Sequence, residues 1–209
     1  SSNELTGEIP NQIKNLTNLE WLNIGSNKLT GKIPTKISNL TKLLLIDLSN
    51  NELTDEIPTN ISNLTKLNYL NLRNNKLTGE VPNSLFDKLE YMYLSDNQLT
   101  GSIQTVNFES PDLAKVISLS NNNLTGEIPL ALNEMDLSGL NIDLRYNSFT
   151  NSSSIFEYSE LLKINPQTPF ENTLLKHKDL DQITWVNKDL FKFKKWLSNG
   201  VNLDDLYED

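Results

Sequence analysis

The chain has 209 residues, with 27 acidic and 18 basic side chains, a formal charge of −9 and 37% hydrophobic residues. That is the composition of a folded chain, and its acidity leaves no broad basic surface for nucleic acid or an anionic membrane. Cysteine is absent and His177 is the single histidine, which excludes disulfides, thiolate metal sites, cysteine nucleophiles and paired-histidine metal sites.

The chain opens on the first member of a series. Asn3, Asn27, Asn51, Asn75, Asn97, Asn122 and Asn147 follow one another at steps of 24, 24, 24, 22, 25 and 25. Two residues after each stands Leu5, Leu29, Leu53, Leu77, Leu99, Leu124 or Phe149, and the next residue is threonine every time. Aligned on these columns, residues 19–42 and 43–66 both read L-x-x-L-x-L-x-x-N-x-L, followed by L-T-x-x-I-P. This is the pattern of a leucine-rich repeat. With its L-T-G-x-I-P insert it resembles the plant-specific class of that family, as in receptor-like kinase ectodomains and polygalacturonase-inhibiting proteins. The likeness covers about residues 1–150. The resemblance implies a right-handed, curved α/β solenoid of about seven units, the first incomplete, with a parallel concave β-sheet.

The spacing of each unit has its own physics. In Leu22-Asn23-Ile24 and Ile46-Asp47-Leu48 apolar and polar residues alternate, so one face is buried and the other wet. So short a strand is stable only when stacked on its neighbours. The asparagine column is expected to turn the chain out of the strand and to bond backbone groups of its own and adjacent coils. Ile9-Pro10, Ile33-Pro34, Ile57-Pro58, Val81-Pro82 and Ile128-Pro129 are expected to stop helix formation there. The pieces that follow supply Ile37 and Leu40 to the convex side of the core. The threonines are expected to serve a second short strand beside the concave sheet; a flat rank of them could also order water, as in ice-binding solenoids. Asp55 replaces a glycine, Gln104 replaces a proline, the 67–88 unit is two residues short and the next two are one long. Local irregularity on the convex side is expected, with the stack unbroken.

At the N-terminus the first unit enters at its ninth position, so its strand is missing, as is the cysteine-paired cap of the secreted relatives. The expectation is a trimmed chain or an end covered by a neighbour, and the uncapped coil offers a route to self-association. After about Thr150 the repeat ends. Thr168-Pro169-Phe170-Glu171 reads as a capping box, and Val186, Leu190, Phe193 and Leu197 form one helical stripe that Asn199-Gly200 can close. Residues 151–209 are therefore expected to form a helical C-terminal cap. The lysines and aromatics between Trp185 and Trp196 fit a solvated cap helix better than a nucleic-acid or membrane grip, since the net charge opposes the latter.

Function is expected on the wet face. One column there reads Trp21, Leu45, Tyr69, Tyr91, Val116 and Asn141; the next reads Asn23, Asp47, Asn71, Tyr93, Ser118 and Asp143; a third reads Gly25, Ser49, Arg73, Ser95, Ser120 and Arg145. An apolar stripe rimmed by charge is the composition of a protein-binding surface. Trp21, Tyr69, Tyr91 and Tyr93 are the candidate anchors, with Asp47, Arg73, Asp96, Arg145 and Tyr146 as polar contacts. By resemblance the partner is a protein or peptide; a structural or adhesive spacer in a larger surface protein and polysaccharide binding are the alternatives. No cofactor, metal ion, nucleic acid or membrane insertion is expected, and the resemblance implies a secreted or cell-surface setting. Asn15, Asn39, Asn60, Asn63, Asn123 and Asn151 stand in Asn-x-Ser/Thr sequons. Catalysis has no support: phosphate loops, G-x-S-x-G and metal-spaced histidines are lacking. Asp47 and Asp143 lie four coils apart, ~19 Å at the strand spacing, too far for a glycosidase pair.

Overall fold

The computed structural model describes residues 4–103, 116–126 and 141–150. The expected cap over 151–209, Gln104, the Ile128-Pro129 pair and the sequon at Asn151 lie outside the described residues.

Each coil begins with a three-residue strand whose central side chain points inward. These strands are β2 (Trp21–Asn23), β4 (Leu45–Asp47), β6 (Tyr69–Asn71), β7 (Tyr91–Tyr93), β8 (Val116–Ser118) and β10 (Asn141–Asp143). They form one parallel six-stranded sheet in the order β10-β8-β7-β6-β4-β2. Leu22, Ile46, Leu70, Met92, Ile117 and Ile142 stand side by side in register. All six are buried in one continuous core, which also takes Leu48, Leu72, Leu94, Leu119 and Leu144 from the next inward position. Strict alternation thus fixes which face is dry, because a slip by one residue would turn every core side chain outward.

The chain leaves the strand through the asparagine column, as expected. The Asn51 amide donates to the carbonyls of Leu48, Ser49 and, one coil back, Ile24, while its oxygen accepts from Leu29 N–H. Asn75 repeats the pattern, and so do Asn97, Asn122 and Asn147. A second set of short strands follows. Strands β1 (Thr6–Glu8), β3 (Lys28–Lys32) and β5 (Glu52–Thr54) form one sheet, and β9 (Thr125–Gly126) pairs with β11 (Ser148–Phe149). Between them, among the described residues, stand single bridges, Glu56 with Thr78, Glu80 with Thr100 and Ser102 with Thr125.

The Ile-Pro pairs behave differently from expectation. Pro10, Pro34, Pro58 and Pro82 do not end helix formation; each one opens a 3₁₀ helix, Asn11–Asn15, Thr35–Asn39, Thr59–Asn63 and Asn83–Leu85. The proline ring holds φ between −59° and −73°, and the proline carbonyl accepts the first bond, as from Ile37 N–H to Pro34 at 3.0 Å. The missing proline N–H lies outside that bond, so nothing is lost. The expected irregularity does occur: in the short 67–88 unit the helix has three residues instead of five, while the six-stranded sheet continues.

The departure at Asp55 is absorbed without a break. Gly31, Gly79 and Gly101 occupy its position in other coils with φ between +73° and +84°, and Asp55 adopts the same left-handed bend at φ 63°. A Cβ at Gly79 would stand 2.6 Å from Cγ of Glu56 on the preceding coil. The position therefore favours glycine on both conformation and space. Asp55→Gly is expected to raise stability by about 0.5–1 kcal/mol and Gly79→Ala to lower it by about 1–2 kcal/mol, read as urea midpoints. Unchanged midpoints in both variants would show that the bend tolerates a side chain.

Candidate functional site

The three wet columns stand as the register requires. Trp21, Leu45, Tyr69, Tyr91, Val116 and Asn141 are successive Cα partners across the sheet, and Asn23, Asp47, Asn71, Tyr93, Ser118 and Asp143 form the adjacent row. Trp21 is 68% exposed on strand β2, the sheet edge. Leu45 separates it from the tyrosines. Tyr69, Tyr91 and Tyr93 instead gather into one cluster, with ring centroids 6.0 Å apart for Tyr69–Tyr91 and 5.6 Å for Tyr69–Tyr93, both tilted. Tilted pairs at this spacing suit the ring quadrupoles. Burial first, then the charges of Asp47 and Tyr93, push the Tyr69 phenol up against an opposing hydrogen bond with Asn71. Tyr69 therefore presents a neutral ring with a hydroxyl tip at physiological pH.

The third column is only partly wet. Ser49 and Ser95 are buried, and the Asp47 carboxylate reaches forward to accept from both the Ser49 hydroxyl at 2.6 Å and the Ser49 N–H. One coil earlier Gly25 is required by the same reach, since a Cβ there would stand 2.9 Å from Asp47 Oδ1. Arg73 and Arg145 of this column are exposed.

Beside the tyrosines the sheet opens into a groove of about 540 Å³. The sequence nominated five of its lining residues, Arg73, Tyr93, Asp96, Arg145 and Tyr146. It placed Ser95, Ser118, Ser120 and Asp143 in the wet columns without nominating them as contacts and missed Asn121; these five complete the floor and walls. Trp21, Asp47, Tyr69 and Tyr91 lie outside this lining. Two ion pairs frame the groove. Arg73 Nε donates to Asp96 at 3.0 Å, and Asn121 donates to the other Asp96 oxygen at 2.8 Å. Arg145 grips Asp143 with two bonds, from Nε at 2.9 Å and Nη2 at 2.7 Å.

Charge is held in place by these contacts. Desolvation would raise the Asp96 carboxyl, but bonds from Asn121 and Arg73, the Arg73 charge and Ser95 outweigh it and hold the group below its ordinary 3.8. The pairing is thus complete above the ordinary carboxylate range and is lost as pH falls through the lowered value. The hydrogen bond to Asp143 keeps Arg145 firmly protonated. Each guanidinium already has a carboxylate, so the groove offers polarity without a large net charge.

Backbone geometry aims part of this wall. The residue before each inward asparagine is left-handed: Ser26, Asn50, Asn74, Asp96, Asn121 and Tyr146 all have φ between 52° and 58°. The bend turns Tyr146 outward, 58% exposed, at the rim of the groove. For so bulky a residue this conformation is uncommon.

The threonines do not make a flat rank. The second sheet is staggered, so Thr30 faces Glu8, Thr78 faces Glu56 and Thr100 faces Glu80. A glutamate, and not another threonine, is thus a register partner of each of these threonines. Among the sequons, Asn15, Asn39, Asn63 and Asn123 are exposed and Asn60 is half-buried. Among the described residues no helix is long and apolar enough to cross a membrane, and no group of histidine and carboxylate side chains is placed to hold a metal ion.

Two family models match the chain. The leucine-rich-repeat domain of the EGF-like domain-containing protein ComC matches residues 4–107, and the general Leucine Rich Repeat matches residues 114–135. No curated protein matches. Among solved structures, the plant peptide hormone receptor RGFR1 in complex with RGF2 is similar at 36% identity and a TM-score of 0.66, over 79% of this chain and 27% of that one. The Arabidopsis receptor kinase HAESA, in complex with the peptide hormone IDA and the co-receptor SERK1, is similar at 31% identity and a TM-score of 0.65, over 78% and 27%. A plant ice-binding protein is similar at 34% identity and a TM-score of 0.60, over 72% and 48%. The chain thus spans less than half the length of each of these structures.

Proposed function

The chain belongs to the leucine-rich-repeat proteins, and from that premise we propose that it is a non-enzymatic recognition module that holds a protein or peptide against its six-stranded sheet. The observation that carries this reading is the tyrosine cluster opening directly onto the polar groove. Aromatic anchors with hydroxyl tips bury a ligand's apolar side chains at little entropic cost. The groove then offers two paired guanidinium–carboxylate walls and a serine floor for backbone groups of an extended segment. The peptide complexes of two similar receptors support the same class of ligand. In this reading Tyr69, Tyr91 and Tyr93 are the anchors, Arg73, Asp96, Arg145 and Tyr146 orient the ligand, and Trp21 and Asp47 extend the surface toward the first coils.

A displayed random peptide library selected on the full chain tests it. For a selected peptide, Tyr69→Ala combined with Tyr91→Ala is expected to weaken Kd by about 30-fold or more, since central aromatic anchors each contribute about 2 kcal/mol. The thermal midpoint should move little, because neither ring is in the core. Unchanged affinity would remove the sheet as the site. Failure to select any peptide, with retention on a glycan array, would favour polysaccharide recognition; self-association alone would favour a spacer.

A further inference from the structure

The repeated N-L-T tripeptides are part of the repeat, yet among the described residues their asparagine and threonine side chains take no part in its hydrogen bonding. Asn15, Asn39 and Asn63 are the last residues of three successive 3₁₀ helices, Asn11–Asn15, Thr35–Asn39 and Thr59–Asn63, which pack on one another. All three asparagines are exposed, as are Thr17, Thr41 and Thr65 two residues on. Among the described residues none of these six side chains makes a hydrogen bond. A side chain needed for the stack would show such bonds, as the inward asparagines do.

The neighbouring sequon at Asn60 is the opposite case. Asn60 Nδ2 donates to the Thr35 carbonyl at 2.9 Å and to the Ser38 hydroxyl at 3.1 Å, tying one helix to the preceding one. Ser62, its sequon hydroxyl, donates to the Thr59 carbonyl at 2.8 Å. Both chemical groups of this sequon are already committed to the fold.

We propose that Asn15, Asn39 and Asn63 form a row of N-glycan acceptors on the helical side of the coils, and that Asn60 is not an acceptor in the folded protein. The transfer replaces one amide hydrogen. The Nδ2 lone pair attacks the anomeric carbon of a lipid-pyrophosphate-linked oligosaccharide, a C–N bond forms and the C–O bond to pyrophosphate breaks. The lipid pyrophosphate leaves with that electron pair, and the displaced proton passes to a base of the transferase. At Asn15, Asn39 and Asn63 a sugar projects into solvent and displaces no contact. At Asn60 it would remove a hydrogen that the Thr35 and Ser38 bonds use and place a sugar ring between two packed helices. The glycan row lies across the coil from the six-stranded sheet, which stays bare.

The test secretes the full chain from cultured insect cells behind a cleavable leader. The folded monomer is then treated with peptide N-glycosidase in oxygen-18 water, which converts each glycosylated asparagine to labelled aspartate. Fragment masses distinguish Asn60 from Asn63. Label at two or more of Asn15, Asn39 and Asn63, with none at Asn60, is expected. An Asn63→Gln variant should still show no label at Asn60, which excludes simple competition between neighbouring sequons. Label at Asn60 in either protein, or at fewer than two of the three free asparagines, overturns the assignment.

Discussion

Replacing Asn75 by alanine is expected to destabilise the protein by about 2–4 kcal/mol, far more than the loss of one polar side chain on a surface would. Asn75 Oδ1 accepts from Leu53 N–H at 3.0 Å, and its amide donates to the carbonyls of Leu48 at 3.0 Å and Leu72 at 3.1 Å. These three partners belong to two coils, and all of these bonds are buried. Alanine leaves Leu53 N–H without a partner and without water, at about 1–3 kcal/mol, and takes one bond each from the Leu48 and Leu72 carbonyls, which keep the amides of Asn51 and Asn97. Gln98→Ala, on an exposed side chain one position past the same column in the next coil, is the control and should change the midpoint little. Chemical denaturation measures both. A loss below about 1 kcal/mol for Asn75→Ala would mean that the asparagine column is decorative and that the coils are held by leucines alone.

The second large effect is expected at Leu70→Ala, about 3–4 kcal/mol. Leu70 is fully buried and sits in register between Ile46 and Met92. The rigid sheet backbone on one side and the 3₁₀ helices on the other limit collapse into the cavity, so both the transfer and the cavity contributions are felt. Because each coil touches only its neighbours, a defect in the middle also weakens the coupling between the two ends. The unfolding transition should therefore broaden as well as move. Leu5→Ala, at a half-exposed position, should stay within about 0.5 kcal/mol of the parent. A sharp transition with an unshifted midpoint for Leu70→Ala would contradict the stacked-core description.

The coils were legible because their chemistry repeats. A leucine at a fixed step, an asparagine that must find four partners and an alternating triplet leave one consistent stacking, and Ile37 and Leu40 are buried where the pattern put them. The wet columns followed from register alone, since a parallel sheet with a constant step carries Trp21, Tyr69 and Tyr91 into one row. What the sequence did not disclose arises from contacts between coils of unequal content. Ser118, Ser120 and Asp143 carry no signature as single residues. They become a groove only because Arg145 folds back on Asp143 and Asp96 is held by both Arg73 and Asn121. The role of the prolines was misread for a related reason. Pro10, Pro34 and Pro58 exclude an interior helical position but not the position before a first turn, and spacing alone does not separate the two. The left-handed Tyr146 was nominated as a polar contact; the bend that exposes it has no sequence cue beyond the asparagine that follows.

The constant register has a consequence for how such a surface changes size. Leu44 N–H bonds the Glu20 carbonyl, and Asn68 N–H bonds the Leu44 carbonyl in the same way. Excising residues 43–66 would bring Asn68 opposite Glu20 with the same donor and acceptor at the joint, and duplicating them would insert one more rung. Length along the stack is therefore counted in whole copies, and gain or loss of a copy moves the tyrosines relative to the first coil without disturbing the groove behind them.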